Sequence, residues 1–266
     1  MLRDTRRPHD YFSELLTDLD EAIEETQQAL DEDEFPLPAE QVDAAQQLYQ
    51  LAIMRAVAHY SAGATRAQLK PVVESILLLR RQLKDKADAL PDEHQVYRRP
   101  FEQFGLQAKA DGSDNVNRYI YALWWLSLLV ACQVDSSHIA AALDLINNSG
   151  RDALLDRVAI SLGDSRRESG AGLLYPERYQ PLYDAFDAAP EQRPALVRTF
   201  LESWYANNAD TDWYESHLCD CEFVYTDYYT GYWCFEALLV ANLLNIDDKL
   251  LKTHPHYPKD LALSAG

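Results

Sequence analysis

The sequence predicts an all-α fold, an array of roughly ten helices with an N-terminal helical domain (1–105) packed on a larger C-terminal helical domain (106–266). Three observations predict it. Apolar residues recur at three- and four-residue spacing along most of the chain, and strand-like alternation is convincing nowhere. Glycine is scarce, at 9 residues, and proline modest, at 12, which disfavours a turn-dense β fold. Hydrophobic residues make up 47% of the chain, enough for a sizeable core and too many for a disordered polymer.

The elements follow in order. Tyr11, Phe12, Leu15, Leu16, Leu19, Ile23 and Leu30 form one apolar stripe with acids opposite, and this helix stops before Phe35-Pro36-Leu37-Pro38. Val42, Ala45, Leu48, Tyr49, Ala52, Ile53 and Val57 mark a second helix to about Ser61, closed by Gly63. Thr65-Arg66-Ala67-Gln68 reads as a capping box. It opens a third helix through Leu69, Val72, Val73, Ile76, Leu79 and Leu83, ended by Pro91. Tyr97 to Ser113 lacks periodicity and is expected to be irregular, near the boundary of the two domains.

Asn115 to Val134 is apolar nearly all round, hence a buried central helix. Its uncharged stretch, Tyr119 to Val134, has 16 residues. A membrane span needs about 20. Ser137 is expected to cap a helix through Ile139, Leu143 and Ile146, closed by Asn147-Asn148-Ser149-Gly150. Asp152 to Leu162 is a further helix, and Gly163 to Gly172 is polar and expected as a mobile loop. Helical patterns resume at Leu182, Tyr183 and Phe186, then from Ala195 to Tyr205. Asn207 to Thr230 is acidic and aromatic without a long period, Tyr232 to Asn245 reads as a strong helix, and the tail at His254-Pro255-His256-Tyr257-Pro258 is non-helical.

The charge is uneven. The chain of 266 residues has 43 Asp and Glu against 24 Lys and Arg, a net charge of −19. Pro8 to Met54 contains 13 acids and no Lys or Arg; Thr199 to Asp248 contains 10 acids and again no Lys or Arg. A solvated helical face ordinarily mixes signs, because Glu–Lys pairs at i,i+4 stabilise helices and like charges destabilise them. Cation-free blocks therefore suggest a binding surface for a basic partner. The same balance argues against nucleic acid and anionic membrane as partners. No apolar stretch follows the basic N-terminus and four cysteines make no disulfide scaffold, so a cytoplasmic protein with reduced thiols is expected.

Most candidate chemistry has a commoner structural reading. His217-x-Cys219-x-Cys221 with Cys234 is a poor tetrahedral set, and cysteines packed as small apolar residues are the commoner case. His254-x-His256 beside two prolines suggests tail packing. Asp247-Asp248 lacks the third acid of a magnesium-binding Asp-Asp-x-x-Asp, because Leu251 stands there. Glu236 sits in an apolar run as a candidate raised-pKa acid, though a Glu bonded to a nearby Tyr or backbone group is commoner. Trp213, Tyr214, Tyr225, Tyr228, Tyr229, Tyr232 and Trp233 could stack a ligand, but core and interface packing is the usual use of such rings. No cofactor and no metal are expected.

Several motifs carry a resemblance: Tyr228-Tyr229-Thr230-Gly231-Tyr232-Trp233-Cys234-Phe235-Glu236-Ala237, Ile246-Asp247-Asp248, Tyr257-Pro258-x-Asp260-Leu261, Phe200-Leu201-Glu202-Ser203-Trp204-Tyr205 and Trp213-Tyr214-x-Ser216-His217. To these the N-terminal half adds Arg3-Asp4, Asp10-Tyr11-Phe12, Tyr60-Ser61-x-Gly63 and Tyr119 to Leu129. Over nearly its whole length the chain resembles the polymorphic-nuclease (PoNe-type DNase effector) immunity family and is PoNi-like.

The resemblance implies an all-helical antitoxin. It would bind, in the cytoplasm and one to one, a cognate DNase effector delivered by a bacterial secretion system. Homodimerisation stays open. Within this reading Tyr228, Tyr229, Gly231, Tyr232, Trp233, Phe235, Glu236, Tyr257 and Pro258 are architectural. The expected partner contacts are Asp210, Asp212, Trp213, Glu215, Asp220, Glu222 and Asp227, where acids interleave with aromatics. The N-terminal acids are expected to act mainly by long-range attraction. Two other classes remain: an acidic DNA-mimic regulator of a host DNA-binding protein, and an all-α enzyme using Glu236 or Asp247.

Overall fold

A computed structural model describes residues 1–98, 102–105, 116–170, 172–218 and 229–263. Among them are nine α-helices, four short 3-10 segments and no strand, so the all-α class stands. The helices are α1 His9–Asp31, α2 Pro38–Ala62, α3 Arg66–Asp88, α4 Asn117–Ala131, α5 Ser136–Ile146, α6 Ala153–Ser161, α7 Pro176–Asp187, α8 Arg193–Trp204 and α9 Phe235–Leu243. They fall into two compact units. Unit 1 is Met1–Asp114 with Ser216–Gly231, and unit 2 is Asn115–Glu215 with Tyr232–Gly266.

In unit 1, α2 is the central helix, with α1 and α3 packed on it. The α1 stripe buries Phe12, Leu15, Leu19 and Leu30 and leaves its acids in water. Small residues on α2 (Ala44, Ala45, Ala52, Ala56, Ala58) are buried beside Leu48, Ile53 and Val57, which lets both neighbours approach closely. Gly63 ends α2 in the left-handed region at φ 102°, and a Cβ there would lie 2.2 Å from the Met1 carbonyl oxygen. Only glycine meets both demands without strain. The expected capping box is present: Gln68 N donates to Thr65 Oγ1 at 3.4 Å, and Thr65 N donates to Gln68 Oε1 at 2.8 Å.

In unit 2, α4 and α9 pack against each other as the hub, and α9 also meets α6, α7 and α8. Both are apolar on nearly every face, as burial on all sides requires; Trp125, Leu126, Leu128, Leu129, Leu238 and Leu239 are almost inaccessible. Each such side chain contributes about 1.5–3 kcal/mol. Two expectations need correction. Ser137 does not cap α5: Asp135 occupies the N-cap and its carbonyl accepts from His138 and Ile139, which puts Ser137 inside the first turn. The last helix begins at Phe235, not at Tyr232. Cys234 N donates to the His256 carbonyl at 2.8 Å and Phe235 N to the Trp233 carbonyl at 2.9 Å, so pairing with the tail overrides the local apolar pattern.

The polar segment after α6 is anchored by a buried ion pair. Asp156, fully buried, accepts from Gly170 N at 2.7 Å and from Gly150 N at 3.2 Å, and meets Arg167 Nε at 3.3 Å. Arg167 also donates to the Asn147 carbonyl at 3.0 Å. Asp152 caps α6 through Leu155 N at 2.8 Å and accepts from Tyr119 Oη and Leu174 N at 2.8 Å each. Asp156→Ala leaves Arg167 charged and buried, which costs about 3–5 kcal/mol. Urea unfolding is the measurement, and a loss below about 1 kcal/mol would show that the pair does not hold this segment.

Candidate functional site

The N-terminal motifs and part of the C-terminal signature meet in unit 1. Asp4 is buried and accepts from the Tyr229 hydroxyl, from Arg6 N at 2.8 Å and from Arg6 Nη1 at 3.2 Å. Burial, then the bond to Asp4, holds the Tyr229 hydroxyl well above the usual phenol range. Tyr11 Oη donates to the Tyr229 carbonyl at 3.0 Å and accepts from Tyr229 N at 3.1 Å. Ser61 Oγ donates to the Thr230 carbonyl, and the Ser61 carbonyl accepts from Arg3 N at 2.9 Å. Arg3 in turn donates to the carbonyls of Tyr60 and Ala64 at 2.8 Å and lies over the Tyr60 ring. Arg7 Nη2 donates to the His217 carbonyl at 2.7 Å. Arg3, Asp4, Tyr11, Ser61 and Tyr229 therefore form one structural node, which no spacing in the sequence reveals.

The rest of the signature builds the aromatic core of unit 2. Gly231, the last residue of unit 1, adopts φ 111°, a backbone state other residues rarely take. Tyr232, Trp233, Phe235 and Tyr257 are buried, as is Pro258. Trp204 stacks on Trp213 with centroids 5.1 Å apart, and Phe235 meets Trp124 at 5.8 Å. His256 lies flat on Tyr205, and its Nδ1 is 3.0 Å from the Tyr232 carbonyl, so the histidine pair of the tail serves packing. Cys132 and Cys234 are buried free thiols. Tyr225, Tyr228, Cys219 and Cys221 lie outside the described residues.

Glu236, 1% exposed, sits inside this shell. Its own backbone amide bonds the carboxyl, as the expected backbone partner, and an indole takes the place of the expected tyrosine: Trp204 Nε1 donates to Oε1 at 3.2 Å. Burial raises its pKa from 4.5 to about 7, against smaller opposing effects from its own backbone, Trp204, Trp124 and Cys234. A proton donor so enclosed has no access to a substrate. Asp247, the other candidate acid, is exposed and paired with Lys249 at 2.9 Å. Among the described residues no group of three His, Cys, Asp or Glu could hold a metal ion, and no helix is long and apolar enough to cross a membrane.

The partner-contact candidates divide. Asp210 is spent on Arg178, whose Nη2 donates to both carboxylate oxygens at 2.7 Å. Asp212 and Glu215 are exposed, and the Asp212 amide donates to Asn117 Oδ1 at 3.2 Å. Trp213 is 7% exposed and stacked in the core of unit 2, so its ring offers no anchor to a partner. Asp220, Glu222 and Asp227 lie outside the described residues. The N-terminal block is a true surface: Asp10, Glu14, Asp18, Asp20, Glu21, Glu24, Glu25, Asp31 and Glu32 are all exposed on α1 or at its end.

Two measurements test this architecture. Tyr229→Phe leaves Asp4 buried with one donor fewer and should cost about 1–3 kcal/mol in urea unfolding, with a smaller loss on an Asp4→Asn background. Between pH 4.5 and about 7 the folded protein keeps the Glu236 proton that the unfolded chain has lost. Stability conferred below that window is therefore lost as pH rises through it, by about 3 kcal/mol at most. Glu236→Gln should flatten this slope, read by tryptophan fluorescence in urea at pH 5 and pH 8; an unchanged slope would refute the assignment.

Comparison with known proteins gives a family match in the C-terminal part and a fold match over most of the chain. Residues 150–261 match the family model described as PoNe immunity proteins (PoNi), C-terminal. A search of curated proteins returns no match. Among solved structures, the crystal structure of protein PA2201 from Pseudomonas aeruginosa is similar in fold, with a TM-score of 0.63 and 19% identity over 92% of this chain and 86% of that one. The motifs quoted from the C-terminal half fall within the matched region, so residues 150–261 are similar to the C-terminal part of PoNe immunity proteins.

Proposed function

We propose that this protein is an immunity protein that binds and neutralises a cognate DNase effector, one delivered by a bacterial secretion system, in the cytoplasm and without turnover. The observation that carries the reading is the exposed, cation-free acidity of α1 together with the family match over residues 150–261. A nuclease must hold phosphates and so presents cations. An acidic protein competes for that surface and is steered to it at high rate. The enclosure of Glu236 and the pairing of Asp247 speak for binding over catalysis.

On unit 2, Asp212 and Glu215 are the exposed acids proposed to touch the effector, continued along the chain by Asp220, Glu222 and Asp227. Asp210 acts through Arg178 as a positioning residue for this segment.

A 1:1 mixture of the purified protein and its cognate nuclease should protect plasmid DNA, and co-expression should rescue growth. Nuclease activity untouched by the protein would end the immunity reading, and a pull-down returning a host DNA-binding protein in place of a nuclease would favour a DNA mimic. Asp212→Lys with Glu215→Lys should speed dissociation roughly tenfold in surface plasmon resonance.

A further inference from the structure

We propose that the groove between α1 and α3 of unit 1 is a docking site for a basic, amphipathic segment of the nuclease partner; this rests on the immunity reading above. The groove follows from the helix order. Because α1 and α3 both pack on α2, a channel of about 670 Å³ is left between them with α2 below. Its floor joins the apolar side chains of Ile23 of α1 and Leu79 of α3 to Arg55 of α2. Leu78, the neighbour of Leu79, is 67% exposed.

The rim is acidic. Asp20, Glu24 and Asp31 line it over about 16 Å of α1, at 1.5 Å per residue, with Glu32 at the helix end. The cation of the lining, Arg55, is already committed: its Nη1 donates to Asp20 at 2.9 Å and its Nη2 to Ser75 at 3.4 Å. Gln27 donates to Asp31 at 3.0 Å and Gln28 to Glu32 at 2.8 Å, which sets both carboxylates in place without neutralising them. An occupant must therefore bring cations for the rim and apolar side chains for the floor.

Other occupants fit less well. The groove is open along α1, whereas a small-molecule site encloses most of its ligand. Nucleic acid and a second copy of this chain, at −19, carry the sign of the rim. A basic helix or extended segment with apolar residues on one side satisfies both requirements.

Asp18, Glu21 and Glu25 are α1 acids that do not line the groove. That separates contact from steering. Three variants are compared by surface plasmon resonance against the cognate nuclease, each checked for helicity by circular dichroism. Glu24→Gln/Asp31→Asn/Glu32→Gln removes rim charge isosterically. Leu79→Glu adds an acid, so it keeps long-range attraction while spoiling the floor. Asp18→Lys/Glu21→Lys/Glu25→Lys alters only the solvent row.

Both groove variants should dissociate roughly tenfold faster, and the solvent-row variant should associate more slowly with an unchanged off-rate. If Leu79→Glu fails to fold, the isosteric variant decides. Should the wild type neutralise the nuclease while the folded groove variants dissociate at its rate, the docking proposal alone is overturned. Should the wild type fail to bind the nuclease, the immunity reading falls and the proposal with it. A photo-crosslinker at Gln27 captured by a non-basic segment would also overturn it.

Discussion

The stretch Tyr229–Glu236 is held by hydrogen bonds from residues far away in sequence, and both units depend on it. At its start the Tyr11 hydroxyl grips the Tyr229 amide and carbonyl together, while Asp4 takes the Tyr229 hydroxyl and Ser61 the next carbonyl. At its end the His256 carbonyl takes the Cys234 amide and Trp204 binds the Glu236 carboxyl. A backbone without helix or ladder partners must satisfy its polar groups this way when buried. The aromatic residues between are then free to serve packing, and Gly231 supplies the one backbone state that a side chain would strain.

Glu236 shows the cost of such a design. A carboxyl in an indole-lined interior is unfavourable when charged, and burial raises the pH at which it gives up its proton. The same enclosure removes it from chemistry with a solute. The Asp156–Arg167 pair solves the opposite problem, since two backbone amides and a guanidinium let Asp156 remain an acceptor without solvent. Both clusters serve the interior, while the cation-free acids of α1 stand on the surface.

There the two acidic blocks part ways. The α1 acids stand in water along a regular helix, with the apolar side chains of Ile23 and Leu79 beside some of them. In the second block, acids and aromatics are also drawn inward: Asp210 pairs with Arg178, Glu236 is buried against Trp204, and Trp213 stacks on Trp204. Interleaved acids and aromatics in a sequence look alike whether the rings face a partner or the core. Only burial separates the two cases.

The sequence by itself determined what depends on neighbours along the chain. The apolar periods of α1, α2 and α3, the Thr65–Gln68 box, the Gly63 stop and the all-round apolar α4 follow from 3.6-residue geometry and local caps, and all are found where that geometry puts them. The uneven charge, too, is a property of order in the chain. Tertiary structure alone decided what depends on residues distant in sequence: the start of α9 at Phe235, the indole partner of Glu236, the gathering of Arg3, Asp4, Tyr11, Ser61 and Tyr229, and the groove left when α1 and α3 both choose α2. The physical reason is that each of these is set by a long-range hydrogen bond or by the order of packing, and neither leaves a periodic trace in the residues that take part.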